Sequence, residues 1–260
     1  MALTGGEVRF KREHDGQVAA LTLSRPGKMN AITWEMRQRM LEHFQQIDPD
    51  PEIRVVVIRG EGDQFSPGGD IPGFMEVEPH DFVDLGHNLT APARSPKPVI
   101  VAIDGYCFGA GLELSMACDI RVATTRSQFG QPEIRLGMIP GSGGSQRLVR
   151  YLGRSRAKYY IMTGERFSAR QANDWGLVAS VADDAEGLDA EVERIVGMLL
   201  GYSPLALRLA KEVIDAGADG PLQTGIELER KAYSLLRATR DFAEGVDAYV
   251  NKRKPAFTGS

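Results

Sequence analysis

An α/β layered fold is predicted by three features of the pattern: short unbroken apolar runs, apolar residues at helical spacing between them, and glycine-rich loops joining the two. The clearest runs are Val55 to Ile58 and Val99 to Ile103. They lack polar alternation and are too short for an ordinary helix, so they read as strands covered on both faces, as in a helix-flanked parallel sheet. At 260 residues and 42% hydrophobic, the chain can bury one large core, or one core with a smaller helical appendage.

In chain order, Val18 to Leu23 reads as a strand that stops at Arg25-Pro26-Gly27, where proline and glycine punctuate the backbone. From Thr33, residues Met36, Met40, Phe44 and Ile47 recur at spacings of four, four and three, which places them on one helix face. The stretch from Phe74 to Pro98 mixes acids, His80, His87 and prolines, and reads as a long irregular loop: either a substrate-covering segment or a solvated excursion. After about Ala185 helical patterns dominate, with Leu205, Leu209 and Val213 in one stretch and Phe242, Val246 and Tyr249 in another. Residues 1–195 are therefore expected to form the α/β core, and 196–260 a helical extension that needs a partner surface.

Lys and Arg total 31 against 35 Asp and Glu, a formal charge of -4 that gives a polyphosphate backbone no basic field, so nucleic acid is not an expected partner. Cys107 and Cys118 lack CxxC spacing and stand in apolar sequence, as buried free thiols do, which suits a reducing cytoplasm. Met1 to Arg12 carries charges where a signal peptide needs an apolar stretch, and no run has the roughly 18 apolar residues of a membrane span. The four histidines show no metal-ligand spacing, and no metal is expected.

Several segments could carry chemistry. Gly68-Gly69-Asp70 is, by itself, equally a turn. Gly109-Ala110-Gly111 opens a helix whose first N–H groups are unpaired, yet Leu114 stands where a dinucleotide fingerprint needs its third glycine. Glu113 lies between Leu112, Leu114 and Met116, in a helix otherwise made for burial, and burial raises a carboxyl pKa toward neutrality. Alone, it is as well explained by one exposed stripe. Glu133 follows Pro132 between Gly130 and Gly137, and alone reads as a first-turn glutamate. Gly141-Ser142-Gly143-Gly144-Ser145 lacks the lysine of a phosphate loop and the G-x-S-x-G of a hydrolase elbow, so it reads as a tight turn into a helix near Gln146.

Taken together the motifs resemble the crotonase (enoyl-CoA hydratase) family from about Arg9 to Phe257. They are Arg25-Pro26 with Asn30-Ala31, Phe65 to Ile71, Gly105-Tyr106 leading to Gly109 through Leu114, Cys118-Asp119, Phe129 to Glu133, Pro140-Gly141 with Gly143-Gly144, and Lys252-Arg253 with Pro255 and Phe257.

That resemblance implies a crotonase-type spiral of ββα units with two roughly perpendicular sheets, closed by C-terminal helices that support a homotrimer or a dimer of trimers. It implies an acyl-CoA substrate and no added cofactor, coenzyme A entering as part of the substrate. The thioester oxygen would lie between the backbone N–H groups of Gly69 and Ala110. Glu113 and Glu133 map onto the catalytic acids of the members that hydrate 2-enoyl-CoA, Glu113 acting mainly on water and Glu133 on the α-proton. The resemblance puts Arg25, Lys28, Gly68, Asp70 and Ile71 on coenzyme A, completed by Lys252, Lys254 and Phe257, and makes Phe74 and Met75 acyl-pocket walls. Two other readings compete: an isomerase, which commonly keeps only the Glu133 position, or another acyl-CoA enzyme on the same scaffold, and a non-catalytic RNA-binding member.

Overall fold

The computed structural model describes residues 5–76, 78 and 82–260. It divides into two units, Met1–Ser95 with Val99–Val192, and Pro96–Pro98 with Glu193–Ser260.

The larger unit begins with strands β1 (Glu7–Glu13) and β2 (Val18–Ser24), antiparallel and in register from Glu7 opposite Ser24 to Glu13 opposite Val18. β1 is a charged, mostly exposed edge, whereas β2 is buried almost throughout. Helix α1 (Trp34–Ile47) follows, its Thr33 cap accepting from Met36 N at 3.2 Å. The face expected from spacing, Met36, Met40, Phe44 and Ile47, is buried. Next come β3 (Val55–Gly60), α2 (Phe82–Leu89), β4 (Val99–Ile103), β5 (Tyr106–Phe108), α3 (Ala110–Ala117), β6 (Ile120–Thr124) and β7 (Gln128–Gly130). The unit continues with α4 (Gly144–Thr163), β8 (Arg166–Ser168), α5 (Ala169–Asp174) and β9 (Ser180–Ala182), and α6 (Ala185–Leu200) runs out of it.

Six strands form one sheet in the order β1-β2-β3-β4-β6-β9, parallel after the first pair, and three form a second, β5-β7-β8. The chain spirals: β4 then β5, and β6 then β7, each give one strand to the large sheet and the next to the small one. The segment after β3 makes the same step with single bridges, Ser66 to Cys107 and Gly69 to Ile32. This alternation lines up the ends of successive turns, and the site is built there.

The stretch 74–98 is more regular than its composition suggests. It holds α2, the end of a 3-10 helix at Pro72–Glu76 and another at Ala91–Arg94; His80 lies outside the described residues. Gly86 masks the helix in the sequence, because glycine lowers helix propensity by about 1 kcal/mol. Close packing requires it, since a Cβ there would stand 2.8 Å from Gly141 O. Tertiary contact therefore overrides propensity.

In the smaller unit, α7 (Pro204–Ala218) and α8 (Leu222–Arg237) approach through Gly217 and Gly225, where a Cβ on Gly225 would be 3.1 Å from Gly217 Cα. Helix α9 (Arg240–Val250) is tied to the C-terminal tail by Asp241, which accepts from Thr258 N and Gly259 N at 2.8 and 2.9 Å. The helices lie where their patterns predicted, but Ile214, Tyr233, Leu235, Val246, Tyr249 and Val250 are exposed in the single chain. No helix among the described residues is long and apolar enough to cross a membrane.

Candidate active site

Two glycine-containing loops are laid side by side. Ser66 N donates to Tyr106 O at 2.7 Å and Phe108 N to Ser66 O at 3.1 Å, so 66–69 runs alongside 107–110. Gly68 has φ +118°, and a Cβ on it would be 3.2 Å from Phe108 O. Gly109, at φ +48°, turns the chain into α3. Neither the Gly69 nor the Ala110 N–H has a protein acceptor among the described residues: Ile32 pairs with the carbonyl of Gly68 and the N–H of Asp70 on either side of Gly69, and Ala110 is the first residue of its helix. Gly111 lets α3 close on Ser66, because a Cβ there would lie 2.9 Å from Ser66 Cβ and 3.0 Å from its carbonyl oxygen. Gly111→Ala is therefore expected to destabilise by about 1–3 kcal/mol, read as a lower thermal midpoint, and to lower turnover by parting the two loops.

Glu113, in the first turn of α3, is 3% exposed. Its Oε1 accepts from Ser142 N at 2.6 Å and Gly144 N at 2.9 Å. The 141–145 turn thus spends two N–H groups on a carboxylate, and Gly144 is needed because its Cβ would stand 2.9 Å from that oxygen. Burial raises the Glu113 pKa despite those two bonds and the charge of Arg37. Glu133 opens a 3-10 helix, Pro132–Leu136. Burial, with the Glu113 charge, pushes it up to about 7, against its own backbone N–H and Arg37. With its amide nitrogen toward the carboxylate, buried Gln131 donates to both Glu133 oxygens, at 2.9 and 3.1 Å.

Both carboxylates line one pocket of about 320 Å³ together with Gly68, Gly69, Gly109 and Ala110. Its walls are largely apolar, including Ile71, Phe74, Leu136, Met138 and Ile139. Here a proton could be delivered beside two fixed donors. Of the expected walls the structure brings in Phe74 but not Met75, which is 91% exposed and absent from the lining. Arg25 pairs with Asp70 at 2.9 Å, joining the turn that holds exposed Lys28 to the 68–71 loop. Asn30 pins that turn by accepting from Arg25 N and donating to Glu61 O and Gln64 O. Lys252 and Lys254 are exposed, and Phe257 packs against Gly245, all within the smaller unit.

Sequence reasoning passed over Trp34 and Arg37, and placed Gln131 and Ser142 only within a motif and a turn, with no role at the site. The available signal for the first two was their i, i+3 spacing beside the apolar stripe of α1: the Arg37 guanidinium stacks 4.8 Å from the Trp34 ring centroid.

The raised carboxyls make stability fall with pH. A carboxyl whose folded pKa exceeds its unfolded value stabilises fully below that unfolded value, and the contribution is lost as pH rises through the folded one. For Glu133 that window runs from 4.5 to about 7. The thermal midpoint is expected to drop across it, and the drop is expected to be shallower in Glu133→Gln, as calorimetry at a series of pH values would show.

The profile of the family described as enoyl-CoA hydratase/isomerase matches residues 13–260. A crotonyl-CoA hydratase of Syntrophomonas wolfei is 36% identical over 251 residues, covering 94% of this chain and 96% of that protein. A 2,3-dehydroadipyl-CoA hydratase of Escherichia coli is 36% identical over 245 residues, with 94% and 96% covered. The crystal structure of an enoyl-CoA hydratase from Bacillus anthracis superposes with a TM-score of 0.91 at 33% identity, covering 96% of this chain and 99% of that one. With its spiral of alternating sheet strands and its C-terminal helices, the chain belongs to the enoyl-CoA hydratase/isomerase family, the crotonase fold.

Proposed function

We propose that the protein hydrates a 2-enoyl-CoA to the 3-hydroxyacyl-CoA, using Glu113 and Glu133 as a carboxylate pair. The observation that carries this reading is that two carboxyls from different elements, both raised by burial, line one pocket with two unpaired backbone N–H groups. Relatives named for hydration of crotonyl-CoA and 2,3-dehydroadipyl-CoA support it.

In this reading Gly69 N–H and Ala110 N–H form an oxyanion hole for the thioester oxygen. Polarising the thioester makes the β-carbon electrophilic, and the charge gathered on that oxygen in the enolate-like state meets two donors that need no reorganisation. Removing one such donor typically costs roughly 2.7–4 kcal/mol. Glu113 orients water and takes its proton as the oxygen bonds to the β-carbon. Glu133, protonated near neutral pH, gives a proton to the α-carbon, and the proton held by Glu113 restores the pair. No other cofactor enters. Isomerisation of the double bond would need only Glu133, so the 113 carboxylate favours hydration.

Coenzyme A would lie along Gly68, Asp70 and Ile71, with its nucleotide end beside Arg25 and Lys28. Lys252, Lys254 and Phe257 would complete that site from a neighbouring subunit of a homotrimer or dimer of trimers, in a reducing cytoplasm. The exposed apolar residues of the smaller unit support an assembly that covers them. A panel of 2-enoyl-CoA chain lengths, followed by loss of the conjugated thioester absorbance, tests the activity. Hydration of at least one member is expected, whereas turnover of 3-enoyl-CoA alone would mean isomerisation.

A further inference from the structure

Within the pocket, Arg37 is a buried cation, 5% exposed, whereas Arg135 is open to solvent and pairs with Glu165 at 3.6 Å. Burying a guanidinium is costly unless its donors are answered. Only one side-chain hydrogen bond answers them among the described residues, Nη1 to Ser142 Oγ at 3.2 Å, and Nε has no partner. Nη2 lies 3.5 Å from the position a Cβ on Gly69 would occupy, so the head group reaches the loop with the free N–H. The stack on Trp34, itself held by Nε1 donating to Gly73 O at 2.9 Å, fixes the guanidinium in place.

A simple counter-ion role for the two glutamates leaves these donors unexplained. Arg37 forms no ion pair with either carboxylate among the described residues, and each glutamate has other donors: Ser142 and Gly144 for Glu113, Gln131 for Glu133. Their attraction supports the cation, whose pKa burial lowers only to about 10. Arg37 thus presents spare charged donors to the pocket, between Gly69 and Ser142, on the same lining as the two carboxylates.

We propose that Arg37 determines specificity by receiving an anionic oxygen group, a carboxylate, carried on a short acyl chain of the thioester. This rests on the hydratase reading above and adds the substrate class. A planar guanidinium with several free N–H groups matches a carboxylate better than any methyl terminus.

The test pairs thioesters of equal chain length, one ending in a carboxylate and one in a methyl: glutaconyl-CoA against 2-pentenoyl-CoA for turnover, and saturated glutaryl-CoA against pentanoyl-CoA for binding by calorimetry. The wild-type protein is expected to favour the carboxylate member of each pair by about 10- to 100-fold, the range for a hydrogen bond to a charged group. Arg37→Met is expected to abolish that preference mainly through KM and Kd, and Arg37→Lys to restore part of it. Equal affinity of the wild-type protein for the two saturated thioesters, or a preference for the methyl-ended one, overturns the inference. So does an Arg37→Met variant that weakens both members by the same factor. If neither enoyl thioester is hydrated but glutaryl-CoA still binds more tightly, the hydratase reading fails and the assignment of Arg37 stands.

Discussion

Glu133→Gln is expected to lower the turnover of a short 2-enoyl-CoA by about 10²- to 10⁴-fold, the contribution of a well-placed acid or base. The substitution keeps shape and volume, so the pocket stays intact, but an amide cannot pass a proton to the α-carbon. Gln131, which donates to both Glu133 oxygens, keeps one acceptor and loses the other. KM is expected to change little, because the contacts assigned to coenzyme A lie elsewhere. Steady-state kinetics at saturating substrate, with circular dichroism to establish that the variant is folded, would check this. The pH profile is a second readout. The carboxyl raised to about 7 is the expected source of a loss in wild-type turnover as pH rises past neutrality, and Glu133→Gln is expected to remove that limb from its residual rate.

Glu113→Gln is the second large effect expected, for a different reason. Glutamine retains the Oε1 that accepts from Ser142 N and Gly144 N, so the 141–145 turn keeps its anchor. What is lost is the base for water, and turnover is expected to fall by another 10²- to 10⁴-fold. Because the two carboxyls act on one reaction, the double variant is expected to be little worse than the poorer single one, as for other groups that act as a unit. Double-bond isomerisation, which needs only Glu133, is expected to survive Glu113→Gln better than hydration does. Assaying 2-enoyl-CoA and 3-enoyl-CoA on the same preparation would separate the two.

Much of the fold was legible because periodicity reports burial. The stripe Met36, Met40, Phe44, Ile47 is the buried face of α1, and the run Val99 to Ile103 is β4 residue for residue. Helix α2 was not legible, since Gly86 weakens its local signal and the reason for that glycine is contact with Gly141, far along the chain. The same limit applied at the site. Glu113 and Glu133 were each ambiguous within their own segments, and only the spiral that lays 66–69 against 107–110, together with the 132–144 stretch, brings both to one pocket. Arg37 was missed because a polar residue beside an apolar helix stripe ordinarily faces water. Here the stripe's neighbour faces a cavity. Met75 shows the converse: one residue beyond Phe74 on the 3-10 helix, it is directed away from the pocket that adjacency suggested.

The most direct measurement of the central claim is the mass of the product formed from a short 2-enoyl-CoA in ¹⁸O-labelled water. The carboxylate-pair account predicts gain of one water, with the label on the β-carbon hydroxyl, by the wild-type protein and severe loss of that product in Glu113→Gln. A product of unchanged mass with its double bond moved, or full ¹⁸O incorporation by Glu113→Gln, would contradict it.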